Sequence, residues 1–250
     1  MKRIAVLVKR VPDTETFLKI GEDGKSVVTE GVNYVLNPHD EVAIEQALQF
    51  KEQGKVEEVV LVTVGKEQDA KELRQGLAMG ADRGIVLTSA GELFDPAVVG
   101  GMLASFLSQE GVDLVLCGKE AIDEEWGQVG YQVAACLGIP FMNEVVGIKW
   151  EGSILAVQQE GDEGIEMFQG DLPVVLGVGK GLCVPRLPSM RGIMSARKKP
   201  MGFVSILPKE SRIEILQVRS APTRPQGEIL GTGAEAVPLL CAKLGWKGEA

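Results

Sequence analysis

The chain alternates between two hydrophobic periods. Arg3–Val8 (RIAVLV) is a short apolar run that reads as a strand, and the polar KRVPDT after it reads as a loop. FLKIGEDGKSVVTEG places Asp23-Gly24 between two alternating runs, which predicts a hairpin. NPHDEVAIEQALQFKEQG opens with Asn37-Pro38 and closes at Gly54, a helix start and stop, with Val42, Ala43, Ala47, Leu48 and Phe50 as its buried face. The pattern then repeats. A strand is predicted over 57–65, a helix over 67–80 ending at Gly80, a strand over 84–88, a helix over 95–111 and a strand over 112–118.

Strand–helix–strand alternation with short links predicts right-handed crossovers and a parallel sheet covered on both faces. Beyond residue 140 the pattern changes. EVVGIKW, SILAVQQE and IEMFQG read as an antiparallel meander, and LPVVLGVG returns as a core strand. Residues 180–200 show no clean period and are rich in Pro, Arg and Lys. The tail from 201 is punctuated by Pro and Gly, with one helix-like piece, AEAVPLLCAKLG. The expected organisation is an α/β domain over 1–200 and an extended arm over 201–250 that lies on a partner. No internal repeat is visible.

Composition narrows the function. A formal net charge of −9 argues against a nucleic-acid binder, whose footprint would be basic. Met1-Lys2-Arg3 runs directly into a strand and no apolar run reaches spanning length, so the expectation is a cytoplasmic protein without leader peptide or membrane insertion. The four cysteines form no CxxC pair, which disfavours a zinc or iron–sulfur site. Cys117 and Cys136 lie in apolar runs and read as core residues. With His39 the sole histidine, no nucleophile motif has a base to match.

The candidate chemistry lies in LVLCGKEAIDEEWGQVGYQVAACLG, residues 114–138. In a parallel sheet, ligands collect at the carboxyl ends of the strands. Four loops should meet there: Lys9–Thr14, Asn37–Asp40, Thr63–Lys66 and Gly118–Val129. A helix starting near Gly127 would offer main-chain N–H groups and its positive dipole end to a phosphate. Backbone donors need few basic side chains, so Asp123, Glu124 and Glu125 can point away, cap the helix or accept a ribose hydroxyl. The chain has neither GxGxxG nor GxxxxGK[ST]. The bland alternative is a tight turn with solvated acids.

Five blocks resemble the beta (small) subunit of electron-transferring flavoprotein: VKRVPD (8–13), NPHDEVAIEQAL (37–48), LAMGADRG (77–84), DLVLCGKEAIDEEWGQVG (113–130) and SMRGIMSARKKP (189–200). The resemblance implies a Rossmann-like fold of the adenine nucleotide alpha hydrolase-like kind, with an antiparallel hairpin addition. It implies a heterodimer whose alpha subunit holds or shares the redox FAD, with an AMP that is not consumed in the beta subunit. Nucleotide contacts would fall on Leu7, Lys9, Asn37, Pro38, His39, Asp40, Leu61 and Val64. The same implication covers Gly118, Lys119, Glu120, Ala121, Ile122, Asp123, Glu124, Glu125, Trp126, Gly127, Gln128 and Val129. An electron-bifurcating branch is also similar; it holds a second FAD where AMP would be and oxidises NADH. His39 stands where many AMP-binding members have Phe, and Thr14 where they often have Tyr, which leans toward that branch. Trp126 is unusual for both.

Residues 184–199 resemble the family's recognition loop, which docks on acyl-CoA dehydrogenase-type flavoenzymes; electrons then pass toward a quinone oxidoreductase. Met190 matches the anchor, and Arg191, Arg197, Lys198 and Lys199 form a basic patch. A basic surface loop is the plain alternative. Arg10 could reach a phosphate or flavin across the subunit boundary, or form a surface ion pair. His39 could edge a flavin or simply start a helix. The implied activity is that of an electron-carrier subunit rather than a stand-alone enzyme. One rival is an ATP-using adenylating enzyme, which would need a string such as SGGxDS that this sequence lacks. Another is a nucleotide-sensing module, which has no use for the loop and tail.

Overall fold

A computed structural model of the chain describes residues 2–89, 95–151 and 154–246. Ser153, the expected start of a meander strand, and the last four residues of the arm lie outside the described residues. Strand β1 (Arg3–Leu7) leads to β2 (Arg10–Pro12), a hairpin of β3 (Lys19–Ile20) and β4 (Val27–Val28), then β5 (Tyr34–Leu36). Helix α1 (Pro38–Glu52), β6 (Glu58–Gly65), α2 (Ala70–Met79), β7 (Arg83–Thr88), α3 (Pro96–Glu110), β8 (Leu114–Gly118) and α4 (Val129–Leu137) follow. The meander is β9 (Phe141–Glu151), β10 (Ile154–Gly161) and β11 (Gly164–Gly170); after it come β12 (Val174–Val178), α5 (Met190–Ala196), β13 (Met201–Ser205) and α6 (Val237–Lys243).

Nine strands form one sheet in the order β11-β10-β9-β12-β8-β1-β6-β7-β13. Strands β9, β12, β8, β1, β6, β7 and β13 run parallel, and β10 and β11 fold back antiparallel. From β1 the chain moves outward through β6 to β7, then returns to the other side of β1 as β8. The connection therefore reverses between β1 and β8, the switch point beyond whose carboxyl ends sheets of this kind bind ligands.

Alternate residues of each strand feed two cores. Ile4, Val6, Leu61, Leu114, Leu116 and Leu176 pack under α1 and α2. Ala5, Val60, Val62, Val115 and Val175 pack with Leu103 and Phe106 of α3 and Val133 of α4. Burial on both faces explains why these strands read as continuous apolar runs. Each fully enclosed Leu or Ile contributes about 1.5–3 kcal/mol.

The α/β alternation, the hairpin and the meander follow the sequence pattern; four local features differ from it. Arg10–Pro12 is a strand paired with Tyr34–Leu36, not a loop, with the Arg10 guanidinium 3.5 Å above the Tyr34 ring. Cys136 is exposed, because α4 buries Val133 and Ala134 and two further residues turn about 200° around the helix. Residues 190–196 form a helix where no period is visible; Ser189 starts it by accepting the Gly192 N–H at 3.0 Å. The sheet also takes in residues 201–205, which pair with β7 at its edge.

Helix α1 is buried around more of its circumference than its apolar face requires. Segment 182–186 crosses it: Cys183 reaches the Val42 carbonyl, and Arg186 bonds the carboxylates of Glu45 and Glu52. Trp150 of the meander meets Phe50 edge-on, with ring centroids 5.9 Å apart. A groove of about 460 Å³ lies there, lined by Gln46, Gln49, Phe50 and residues 147–150, away from the strand ends.

Candidate functional site

At the crevice, β1 and β8 pair only over Ile4–Val6 and Leu114–Leu116. Beyond that register the strands diverge, and the first turn of α1 fills the fork. Asp40 is 5% exposed; its carboxylate accepts the Lys9 N–H at 2.7 Å on one oxygen and the Gly118 N–H at 2.9 Å on the other. Asn37 is 1% exposed; its amide donates to the Glu120 carbonyl at 2.9 Å and accepts the Ile122 N–H at 3.3 Å. Lys119 N–H continues to the Val178 carbonyl of β12 at 3.0 Å. Loops 9–12, 37–40 and 118–128 thus meet, three of the four expected; in the fourth, the Lys66 N–H donates to Asp69 at 2.8 Å.

Gly118 is needed here for space. A Cβ at that position would lie 2.5 Å from Asp40 Oδ1, 2.6 Å from His39 Cβ and 2.9 Å from the His39 carbonyl carbon. Gly127 is needed for its backbone, with φ +59° just before α4. Glu125 also takes a left-handed φ, +53°, in the same turn. Helix α4 then starts at Val129 with Gln128 at its cap position and no side-chain cap bond. Its first-turn N–H groups are left to an external acceptor or to water, which is the arrangement that suits a phosphate.

Two of the three acids, Asp123 and Glu124, take a fourth course beyond the three open to them from sequence. Asp123 and Glu124 both bind Lys9 Nζ, at 2.9 and 3.0 Å, tying the β1 loop to the acidic loop. None of them caps α4. Lys119 is held at 3.0 Å by Glu144 and at 3.6 Å by Glu120. Lys9 and Lys119 are therefore both matched by carboxylates, which leaves main-chain amides as the donors nearest to hand for a phosphate.

Burial governs the titratable groups. It pushes the Asp40 carboxyl up to about 7, against the two amides, Asn37 and the Lys9 charge, which all favour ionisation. Half-buried His39 is held below its ordinary value, chiefly by burial, despite Glu120 nearby. Cys117, beneath Gly118, is pushed up by burial and by the Asp40 charge, so it is an unreactive core thiol.

The other expected site residues divide. Leu7 ends β1 in the α3/α4 core, and Val64 is half-buried near the end of β6. Leu61 is fully enclosed beneath α2, so its side chain faces the core rather than the crevice. Pro38 occupies the first turn of α1 and is exposed. Trp126 is exposed on the loop. Arg10 pairs with Asp69 at 3.0 Å and lies 3.3 Å from Glu72, the ion-pair alternative. Residues the sequence did not single out also reach the site. Asn143 donates to the Lys119 carbonyl at 3.4 Å, and Glu144 holds Lys119 from a left-handed φ of +51°. A polar pair at the head of an apolar strand was the available signal.

The segment expected to dock on a partner lies elsewhere, on α5 against α2. Met190, Ile193 and Met194 are exposed, as are Arg191, Arg197 and Lys198. Lys199 is not part of that free surface. Its Nζ donates to the Leu77 and Ala81 carbonyls at 2.8 and 2.6 Å, at the end of α2, and burial holds its ammonium below the ordinary value. Arg74 reaches the Ala196 carbonyl at 2.9 Å, so α5 is fastened at its carboxyl end. Among the described residues no helix is long and apolar enough to cross a membrane.

Comparison with known proteins agrees with this architecture. The family model described as "Electron transfer flavoprotein domain" matches residues 25–205. The chain is 36% identical to "Electron transfer flavoprotein subunit beta" of Syntrophomonas wolfei, over 96% of this chain and 92% of that one. It is 37% identical to "Electron transfer flavoprotein subunit beta, mitochondrial" of Arabidopsis thaliana, over 95% and 97%. The human protein of the same subunit name is 35% identical, over 95% and 96%.

Proposed function

We propose, since this chain belongs to the electron transfer flavoprotein family and stands among its beta subunits, that it binds AMP at the β1/β8 crevice and acts as the nucleotide-holding half of a heterodimeric electron carrier. Its partner is the alpha subunit. The single observation that carries the nucleotide assignment is the pinned loop 118–128 running into the uncapped start of α4 at the sheet's switch point. The residues fit an adenylate: main-chain amides are available for a phosphate, glycine permits close approach, and Lys9 and Lys119 are already matched by carboxylates. The AMP is structural and takes no part in bond making.

The redox chemistry, transfer of electrons one or two at a time, is supplied by FAD held with the alpha subunit. This chain's part is to bind, orient and recognise. The exposed apolar residues Leu207, Leu216, Ile229 and Leu244 of the tail suit an arm laid on the alpha subunit. Met190 and Met194 on α5, flanked by Arg191, Arg197 and Lys198, suit an acidic acyl-CoA dehydrogenase-type donor, with steering by charge and adaptable packing by Met. Electrons then leave toward a quinone oxidoreductase.

The test is to purify the chain with its partner subunit, release the bound nucleotides and quantify them by chromatography beside the flavin absorbance. One FAD and one AMP per heterodimer is the expected result. Two FAD would replace the AMP reading by the NADH-oxidising, bifurcating one. ATP turnover without flavin would overturn both.

A further inference from the structure

We infer that Asp95 anchors the C-terminal arm: one oxygen of its carboxylate caps helix α3, the other holds the arm's main chain, and the arm thereby leaves the domain in a direction fixed before the alpha subunit arrives. The inference rests on the reading above that the arm packs on that subunit, and it assigns Asp95 a positioning role in assembly.

The arm's own contacts carry it. After β13 the chain stays with the sheet for one residue, the Ile206 N–H donating to the Thr88 carbonyl at 3.0 Å. Beyond that point Leu207, Leu216 and Ile229 are 93%, 75% and 87% exposed. Apolar burial therefore gives this stretch little hold, and polar bonds supply it at two places. At the start of α3, Asp95 Oδ2 accepts the Arg212 N–H at 2.9 Å and lies 3.4 Å from the Ser211 hydroxyl. At the turn between β3 and β4, the Gly24 carbonyl accepts the Val218 N–H at 2.8 Å. Lys25 lies 3.4 Å from Glu214 beside it, an exposed pair that contributes little.

Asp95 is the charged and enclosed one of these fastenings. Capping a helix needs one acceptor, and Asp95 Oδ1 meets that need with the Ala97 N–H at 2.9 Å. Ser189 does the same for α5 and stays exposed. Asp95 is instead 4% exposed, and its second oxygen is committed to residues 116 and 117 positions away. The Arg212 N–H is foremost among the groups that hold its carboxyl below the ordinary value. A serine would cap the helix but offers a single oxygen. An arm held in advance also loses less conformational freedom when it binds.

The experiment compares four full complexes with the alpha subunit: wild type, Asp95→Asn, Arg212→Pro and a chain ending at residue 218. Each variant competes with labelled wild-type chain for a limiting amount of alpha subunit, so the fold-change in affinity is read directly. Amide hydrogen exchange is followed at residues 98–99 and 211–218. Asp95→Asn keeps the size but only one acceptor, so cap and anchor can no longer both be met. Arg212→Pro removes the arm's donor and leaves the cap untouched; it decides the matter if Asp95→Asn does not fold. The expected result for both is exchange about tenfold or more faster at Ile213, the size of one hydrogen bond to a charged group, with affinity for the alpha subunit about tenfold weaker. Exchange at Val98 and Val99 should be unchanged in Arg212→Pro. Unchanged exchange in a folded variant, or faster exchange with unchanged affinity, overturns the inference. If the chain ending at 218 competes as well as wild type, the reading of the arm itself fails; if that chain is weakened and the two substitutions are not, only the anchor role fails.

Discussion

Gly118→Ala is the most economical perturbation of the site, because it adds one methyl group at the fork. That methyl would stand 2.5 Å from Asp40 Oδ1, 2.6 Å from His39 Cβ and 2.9 Å from the His39 carbonyl carbon. The last contact is to main chain, so no rotamer change relieves it, and α1 must move relative to β8. Overpacking of this kind costs about 1–3 kcal/mol. The movement also breaks the Gly118 N–H bond to a buried carboxylate, worth about 1.5–3 kcal/mol. The two combine to about 2.5 kcal/mol at the lower end, which lowers the unfolding midpoint of a chain this size by about 5–10 °C. Thermal unfolding of the heterodimer by near-ultraviolet circular dichroism reads this directly, with bound nucleotide quantified on the same preparation. Gly101→Ala is the control: nothing lies within 4 Å of its added methyl, and the residue is inside helix α3. Its midpoint should hold or rise slightly. A Gly118→Ala protein with the wild-type midpoint and a full complement of nucleotide would refute the close packing of α1 on β8.

Three further outcomes follow from the same contacts. Lys9→Met removes a partly exposed ion pair and should change stability by less than about 1 kcal/mol; it leaves Asp123 and Glu124 unmatched, so AMP affinity should fall severalfold at low salt and recover near 0.5 M salt, where screening reaches within about 5 Å. Arg186→Met leaves Glu45 buried without its cation and should cost about 2–3 kcal/mol at neutral pH, below the range for a wholly buried pair because Arg186 is itself partly exposed. Burial alone would raise the Glu45 carboxyl, but the Arg186 bonds outweigh it and hold the folded value below 4.5. The stabilisation is therefore complete above that pH and lost as pH falls through the folded value, so the denaturant midpoints of wild type and variant should converge only in acid. Lys199→Met strips two carbonyls at the end of α2 of their donor and should cost about 1–2 kcal/mol; loosening of α5 should slow electron transfer from the donor enzyme in stopped-flow mixing while leaving nucleotide content unchanged.

The parallel sheet was legible in the sequence because its strands are buried on both faces. Val59–Val62 and Leu114–Cys117 read as unbroken apolar runs, and Asn37-Pro38, Asp95-Pro96 and Gly80 mark helix ends by local chemistry. Strand β13 and helix α5 were not legible. Their stability comes from distant contacts: β13 from the free edge of β7, α5 from Arg74, Lys199 and the end of α2. The same holds within the site. Loop 118–128 stood out through its glycines and its place after an apolar run. Asp40 stood in a loop expected at the strand ends, but nothing in the sequence told which groups its carboxylate bonds. Only the fold brings the Lys9 and Gly118 amides to its two oxygens from 31 and 78 residues away. The acids resisted reading for the same reason, since Lys9 meets Asp123 across 114 residues.

The most direct measurement is a crystal structure of the chain with its alpha subunit, purified with endogenous nucleotide. The account predicts an adenylate whose phosphate lies within hydrogen-bond distance of main-chain N–H groups between Gly118 and the first turn of α4, with Asp123 and Glu124 turned to Lys9 and Asp40 in place behind the loop. Density with those carboxylates aimed into a collapsed crevice, or with the nucleotide bound elsewhere on the subunit, would contradict it.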